Sequence, residues 1–336
     1  MKKTLYIFQK GRLRRKDNSL LFEGEETGKK FIPVEDTNDL YLFGEVDISK
    51  SSMEFLSQKE ICVHYFNQYY GYYMGTFYPR EHLNSGHVIL KQAEHYIDYE
   101  KRVDLARQII FGSISQMTQV LNYYKNRIVS GADEITAVID DFKKQLENLD
   151  QAKEIEELMA EEGHAREKYY SLFDYIIQNK DFPFEKRTKR PPLNRLNALI
   201  SFGNSLCYTI VLSETYKTYL DPRIGFLHST NFRRFSLNLD VAEIFKPIIV
   251  DRLIFSLLNR KQLNKKHFDK HTNAILLSEE GRKIFIRELD ERLKQTKKHR
   301  GLGRNVSNRR LIRLELYKIQ KHLLEEKEYK PYKAQW

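Results

Sequence analysis

Three places along the chain combine residue types that can do metal or phosphate chemistry. The first is the stretch 155–176. Its apolar residues fall at 155, 158, 159, 165, 169, 172, 173 and 176, the repeat of one buried helix face. Glu162 lies on that stripe, seven residues after Ile155 and seven before Tyr169. A carboxylate facing a core is costly unless it is paired or binds a cation. Gly163 beside it weakens a helix by about 1 kcal/mol relative to alanine, which predicts a close approach there. The plainer arrangement is an i,i+4 pair of Glu162 with Arg166 on a partly exposed face, and such pairs are common.

The second place is the turn Gly225-Phe226-Leu227-His228-Ser229, which follows Asp221-Pro222. A single turn histidine is usually only hydrogen-bonded, so its weight comes from its neighbours. The third is Ser236-Leu237-Asn238-Leu239-Asp240-Val241-Ala242-Glu243. Asp240 as a helix N-cap with Glu243 closing a capping box accounts for this spacing structurally. The same spacing also puts two carboxylates on one face of a first helical turn, where they can point at one cation. Together Glu162, His228 and Glu243 would supply two carboxylates and one imidazole. That donor set suits Mg²⁺ or Mn²⁺, with the nitrogen tilting it toward Mn²⁺. Such an ion supports phosphodiester chemistry, although spacing alone leaves the structural alternatives open.

The elements that must position these groups change character along the chain. Up to about residue 80 the segments are short, β-branched or aromatic and divided by Gly, Asn and Asp, as in Leu5–Phe8, Leu20–Phe22, Phe31–Val34, Leu40–Phe43 and Ile61–Phe66. They predict a small β-rich domain over 1–80 with one helix over 49–58. Beyond Pro79-Arg80 the period becomes helical, predicting a larger all-helical domain over 81–336. Residues 134–150 read as an acidic-basic helix or hairpin, and helices are expected near 194–220, 241–260 and 278–295. Asp181–Pro192 holds three prolines and four basic residues and is expected to be a loop, and 297–310 reads as a flexible basic segment. In helix 194–220, Asn197, Ser201, Asn204 and Tyr208 form an uncharged polar line, which can line a site, bind phosphate or pack against a neighbouring helix. The expected fold class is therefore α+β.

The 336 residues carry 57 Lys and Arg against 46 Asp and Glu, a net charge of +11. Such a balance points to a polyanionic partner, nucleic acid before membrane. At 41% hydrophobic with 8 prolines and 15 glycines, the chain is not a disordered one. Its two cysteines, Cys62 and Cys207, sit among apolar residues. They exclude a disulfide framework or a cysteine zinc site and predict a reducing, cytoplasmic location. Neither a signal peptide nor a stretch approaching the ~18 apolar residues of a membrane span is expected, so no membrane partner is.

Four blocks in order carry a resemblance. Glu162-Gly163-His164-Ala165-Arg166-Glu167-Lys168-Tyr169-Tyr170 resembles the Glu-Gly…Arg…aromatic-pair helix of the CRISPR-associated adaptation endonuclease and spacer integrase (Cas-one). Asn197-Ala198-Leu199-Ile200-Ser201-Phe202-Gly203 is similar to its Asn-x-x-x-Ser-Phe-Gly helix. Leu220-Asp221-Pro222-Arg223-Ile224-Gly225-Phe226-Leu227-His228 is similar to its Asp-Pro…Gly-Phe-x-His turn. Ser236 to Pro247, with Asp251 downstream, resembles its Ser-Leu-x-x-Asp-x-x-Glu-x-Phe-[Arg/Lys]-Pro helix. Gly44–Ile48 and Tyr329–Tyr332 extend the likeness over nearly the whole chain. Asn204, at a position more often Tyr, resembles a branch belonging to type I systems, and the loop after His228, with Arg233-Arg234, departs from the pattern.

The resemblance implies a β-rich dimerisation domain and a helical nuclease and integrase domain. It implies a metal on Glu162, His228 and Glu243, with Asp240 as an accessory catalytic acid. It implies double-stranded DNA substrates (a foreign fragment and the CRISPR repeat), a homodimer, and a small partner, Cas-two, bridging two dimers. The basic clusters at 186–190, 260–270 and 297–310 would then hold DNA phosphates. The alternatives are a non-catalytic architectural nucleic-acid binder and a general nuclease without integration.

Overall fold

In the computed structural model, residues 2–26, 28–80, 83–230, 235–271 and 273–334 are described. Arg233 and Arg234 lie outside these residues. The chain divides into two units, one ending at Asn84 and one beginning at Ser85.

The first unit is built from β1 (Lys3–Ile7), β2 (Gly11–Lys16), β3 (Ser19–Gly24), β4 (Gly28–Ile32), β5 (Thr37–Leu42), β6 (Val46–Ile48), α1 (Lys50–Gln58), β7 (Cys62–Phe66) and β8 (Tyr73–Phe77). They form two four-stranded sheets, ordered β1-β5-β7-β8 and β4-β3-β2-β6. β5 runs parallel to β1 and β7, while β2–β3 and β3–β4 are antiparallel. Alternating residues such as Leu13, Leu20, Phe22, Leu40, Leu42 and Val63 close one core, as the two-residue period of a strand requires. Ser49 caps α1, its side chain accepting from the Ser52 amide. The aromatic run from Tyr69 makes a turn, in which Asn67 Oδ1 accepts from the Tyr69 and Tyr70 amides, and the chain returns as β8.

The second unit contains α2 (Gly86–Ile97), α3 (Tyr99–Lys125), α4 (Ala132–Asn148), α5 (Ile155–Ser171), α6 (Phe173–Ile176), α7 (Arg195–Thr215), α8 (Leu237–Lys246) and α9 (Arg252–Asn259). It continues with β9 (Phe268–His271), β10 (Ala274–Leu277), α10 (Glu279–Lys294), β11 (Thr296–His299), β12 (Arg304–Ser307) and α11 (Asn308–Leu323). The unit is helical, but two antiparallel hairpins, β9–β10 and β11–β12, interrupt it. The second occupies the basic 297–310 segment, so that segment is ordered as a hairpin running into a helix. The expected helix over 241–260 is really α8 and α9 joined through a π-helical turn, Pro247–Asp251. A proline inside a helix removes a backbone bond and crowds the preceding turn, and such wide turns are frequent at functional sites.

α7 runs through the centre of this unit. It is the one described helix long and apolar enough to cross a membrane, and 78% of its apolar window is buried inside the protein. Sequence reading had found no stretch of that kind. Gly203 lets the π-helical turn approach α7, since a Cβ there would lie 2.4 Å from Val250 Cγ1. Beyond α11, residues 329–334 form a strap. Tyr329 Oη donates to Glu315 Oε1 (2.7 Å), Gln116 Nε2 donates to the Tyr332 carbonyl (2.6 Å), and the Ala334 amide donates to Gln116 Oε1 (3.1 Å). The Tyr332 ring stacks on Phe245 of α8 at 6.1 Å. Both cysteines are free and buried.

Candidate metal and phosphodiester site

Glu162 is half-buried on α5, and the pair expected from its spacing is present: Arg166 Nε donates to Glu162 Oε1 at 3.0 Å. The same guanidinium goes further. Its Nη2 donates to Glu243 Oε2 on α8 at 2.6 Å and lies 3.3 Å from Ser113 Oγ of α3. One buried cation therefore joins the two carboxylates. Lys246, one turn after Glu243, pairs with its other oxygen and sits 4.5 Å from the centre of the Tyr208 ring. Burial would push the Glu243 pKa up, but Lys246, Arg166 and His228 outweigh it and hold the carboxylate down to about 2. Burial opposes the charge of Lys246 in the same way, and Glu243 overcomes it, so the ammonium is held well above its ordinary range.

Asp240 is fully buried and serves the histidine turn. Its Oδ2 accepts from the Phe226 and Leu227 amides (2.6 and 3.1 Å), and its Oδ1 accepts from the His228 amide (2.9 Å). His228 Nδ1 stands 2.8 Å from that same Oδ1. A carboxylate can only accept, so Nδ1 carries a proton, and in the neutral ring Nε2 is then the ligand or acceptor atom. Burial lowers the His228 pKa, yet the hydrogen bond and charge of Asp240, with the charge of Glu243, carry it above the ordinary value. Asp240 was expected as a helix N-cap closing a capping box with Glu243, and as an acid beside the metal. α8 starts earlier, with Ser236 in the cap position, so Asp240 lies inside the first turn. Its oxygens are taken up by the 226–228 backbone and the imidazole. Ser236 meanwhile ties the turn to the helix, accepting from the Gly225 amide (2.8 Å) and donating to the Arg223 carbonyl (2.7 Å).

The close approach expected at Gly163 is absent: a Cβ there would meet nothing within 4 Å. Gly225 is the glycine that matters, because its Cβ would sit 2.7 Å from Asp240 Oδ2. The polar line of α7 faces the 186–188 loop. Asn197 Oδ1 accepts from Arg187 Nη1 (2.9 Å), Asn197 Nδ2 donates to the Lys186 carbonyl (2.7 Å), and Ser201 Oγ accepts from Arg187 Nη2 (3.1 Å). Arg187 is thereby turned inward, as is Arg309, which grips buried Glu214 (2.7 Å), while exposed Lys265 pairs with Asp181 on the surface (2.7 Å). Lys186, Lys189, Arg190, Arg260, Lys261, Lys266, Lys270, Lys298 and Arg304 remain exposed.

Sequence reasoning missed Lys246 and Asp251 as parts of this site. Lys246 had a signal, the i+3 spacing from Glu243. Asp251 closes the π-helical turn, is fully buried, and neither of its carboxylate oxygens has a hydrogen-bond partner. Burial raises its pKa to about 7 against the lowering charges of Arg166 and Lys246.

Among the described residues, no three His, Cys, Asp or Glu side chains stand close enough to hold an ion as they are. Glu162 and Glu243 instead share a cation, Arg166, and the charge of His228 acts on Glu243. Two carboxylates already gathered on one positive charge, beside an imidazole with Nε2 left over, fit a hard divalent ion by donor chemistry.

Comparison with known proteins identifies the family of the chain. Residues 5–291 match the family model described as CRISPR associated protein Cas1. The chain is 56% identical over 336 residues to "CRISPR-associated endonuclease Cas1 2" of Thermodesulfovibrio yellowstonii, covering 100% of both. It is 52% identical over 323 residues to "CRISPR-associated endonuclease Cas1" of Thermotoga maritima, covering 96% of this chain and 97% of the relative. A solved Cas1 protein from Thermotoga maritima superimposes with a TM-score of 0.87 at 49% identity, covering 98% and 99% of the two chains. A casposase bound to its integration product shares the fold at a TM-score of 0.87 and 20% identity, covering 100% and 95%. The chain belongs to the Cas1 family, the endonucleases of CRISPR adaptation.

Proposed function

We propose that this Cas1 chain is a metal-dependent DNA endonuclease and integrase that inserts foreign DNA fragments into a CRISPR array. A 3′-hydroxyl of the fragment attacks a phosphorus at the repeat boundary. One P–O bond forms as the bond to the departing 3′-oxygen breaks, and the hydroxyl's proton passes to that oxygen. One phosphodiester replaces another, so no energy cofactor is needed. The observation that carries this reading is the joining of Glu162 on α5 and Glu243 on α8 by a single buried positive charge, Arg166, which lies 77 residues before Glu243 in the chain.

Glu162, His228 and Glu243 would hold Mg²⁺ or Mn²⁺, and Asp240 keeps the His228 proton on Nδ1 so that Nε2 faces outward. When bound, the ion neutralises phosphate charge and makes the attacking oxygen more acidic. Lys246 keeps Glu243 ionised, while the exposed lysines and arginines named above would position the DNA through its phosphates, with steep salt dependence. Double-stranded DNA as partner is supported by the casposase neighbour, which is bound to an integration product. A small Cas2 partner bridging two dimers is supported by a Cas6-RT-Cas1–Cas2 complex that shares the fold at 18% identity. Homodimerisation through the β unit is supported by its exposed Phe31, Tyr69, Tyr72 and Met74. A reducing, cytoplasmic location is supported by the two free cysteines.

The test is a strand-transfer assay with a supercoiled repeat plasmid, run beside Mn²⁺ titration calorimetry. Glu162→Ala should abolish cleavage and transfer with the fold retained. Activity kept by that variant sinks the site assignment. Cleavage without transfer leaves a general nuclease, and DNA binding with neither Mn²⁺ binding nor cleavage leaves an architectural binder.

A further inference from the structure

Arg166 and Asp251 are incomplete in complementary ways. The guanidinium uses Nε on Glu162 and Nη2 on Glu243 and Ser113, but its buried Nη1 has no hydrogen-bond partner. Asp251 is 0% exposed, and both of its carboxylate oxygens are without a partner. The charges of these two side chains act on each other. Of the carboxylates whose charge bears on Arg166, Asp251 is the one that is neither Glu162 nor Glu243. Native proteins leave few buried polar atoms idle, and each such atom calls for an explanation. Here an idle donor and two idle acceptors are buried in the same helical unit, and their charges act on each other while Arg166 serves the two glutamates.

A divalent ion entering between Glu162 and Glu243 changes that balance. It would take the carboxylates that Arg166 now neutralises and would stand beside a like charge in a poorly screened interior. An arginine does not shed its proton, so the guanidinium needs another anion within reach. We propose that Asp251 is a positioning residue which receives the Arg166 guanidinium when a divalent cation is held by Glu162 and Glu243. Arg166 then has two stations, one bridging the glutamates in the metal-free protein and one on Asp251 in the loaded protein. Asp251 reaches this place because the π-helical turn Pro247–Asp251 shifts the phase of the helix after Glu243. This inference rests on the metal reading of the site, and it adds a device that makes the site exchangeable between an internal and an external cation.

The experiment compares Mn²⁺ binding by titration calorimetry with the thermal midpoint of the metal-free protein, for the full chain and for Asp251→Asn, a substitution close to isosteric. The metal-free midpoint should move little, because Asp251 has no partner in that state. The Mn²⁺ dissociation constant should rise at least tenfold. Adding Arg166→Gln to Asp251→Asn should restore Mn²⁺ binding, since the charge to be rehoused is gone. A residue needed only for packing would lower the midpoint and would not be rescued in this way. Mn²⁺ bound equally well by the parent protein and Asp251→Asn overturns the inference and leaves the metal site standing. Absence of any Mn²⁺ binding that depends on Glu243 overturns both. Should Asp251→Asn not fold, crystal structures of the parent protein with and without Mn²⁺ decide the matter. Arg166 on Asp251 in the loaded crystal supports the handover, and Arg166 still on the two glutamates beside bound Mn²⁺ refutes it.

Discussion

Two buried carboxylates in the helical unit invite comparison, Glu214 and Glu243. Both are almost wholly enclosed, both lie among several cations, and in both those cations overcome the opposing effect of burial and bring the pKa down to about 2. By charge and burial they are near twins, and the difference lies in how complete each cluster is. Glu214 Oε1 accepts from Arg309 Nε and its Oε2 from Arg313 Nε, at 2.7 and 2.6 Å. Lys217 adds a third cation at 3.6 Å. The cluster fastens α7 to α11. Around Glu243 a half-exposed Glu162, a free imidazole nitrogen and an unpartnered Asp251 remain. Buried charge is therefore weak evidence of function on its own; the informative sign is charge whose partners have capacity to spare.

The comparison can be broken by exchanging the consequences of mutation. Glu214→Ala leaves Arg309 and Arg313 without their shared anion and should cost about 3–5 kcal/mol of stability, the usual result of removing one partner of a buried pair. Urea unfolding would measure it, and the folded fraction should still cleave DNA. Glu162→Ala should show the reverse, with a smaller loss of stability because Arg166 keeps Glu243 as its anion, and activity gone.

Acid sharpens the same contrast. The folded-state pKa of Glu214 lies below its unfolded value of about 4.3, so its contribution is complete above that pH and is lost as pH falls through about 2. Glu214→Gln should therefore flatten the acid limb of the stability curve, as followed by circular dichroism between about pH 5 and 2. An unchanged limb would remove Glu214 from the ledger of acid-sensitive groups.

Next in size is Asp240→Asn, which takes away the charge holding the His228 turn. Its expected effect is about 10–100-fold in Mn²⁺ affinity or cleavage rate, with the imidazole pKa falling toward its ordinary value in an NMR titration. The smallest effect belongs to Gly163→Ala. With open space around that position, the helix should gain about 1 kcal/mol and nuclease activity should persist, as a thermal melt and a cleavage assay would record.

The strand and helix alternation was legible because side-chain period survives in one dimension. The Glu162–Arg166 pair was legible for the same reason, but its extension to Glu243 was not, since that contact spans 77 residues. Asp251 escaped because the α-helical repeat is the wrong ruler across a π-helical turn. Arg187 and Arg309 were counted among the DNA-holding clusters because composition counts charge without revealing which way a side chain faces. The hairpins β9–β10 and β11–β12 were hidden by polar, basic residues of low strand preference, such as Thr296–His299, that hold their register through backbone bonds.

The strap of residues 329–334 has a consequence for biogenesis. Phe245, two positions after Glu243, gains its stacking neighbour Tyr332 only from chain made 87 residues later, and Gln116 on α3 is saturated by the same late segment. The helix that carries Glu243 therefore gains its last ring contact only once that late segment has been made.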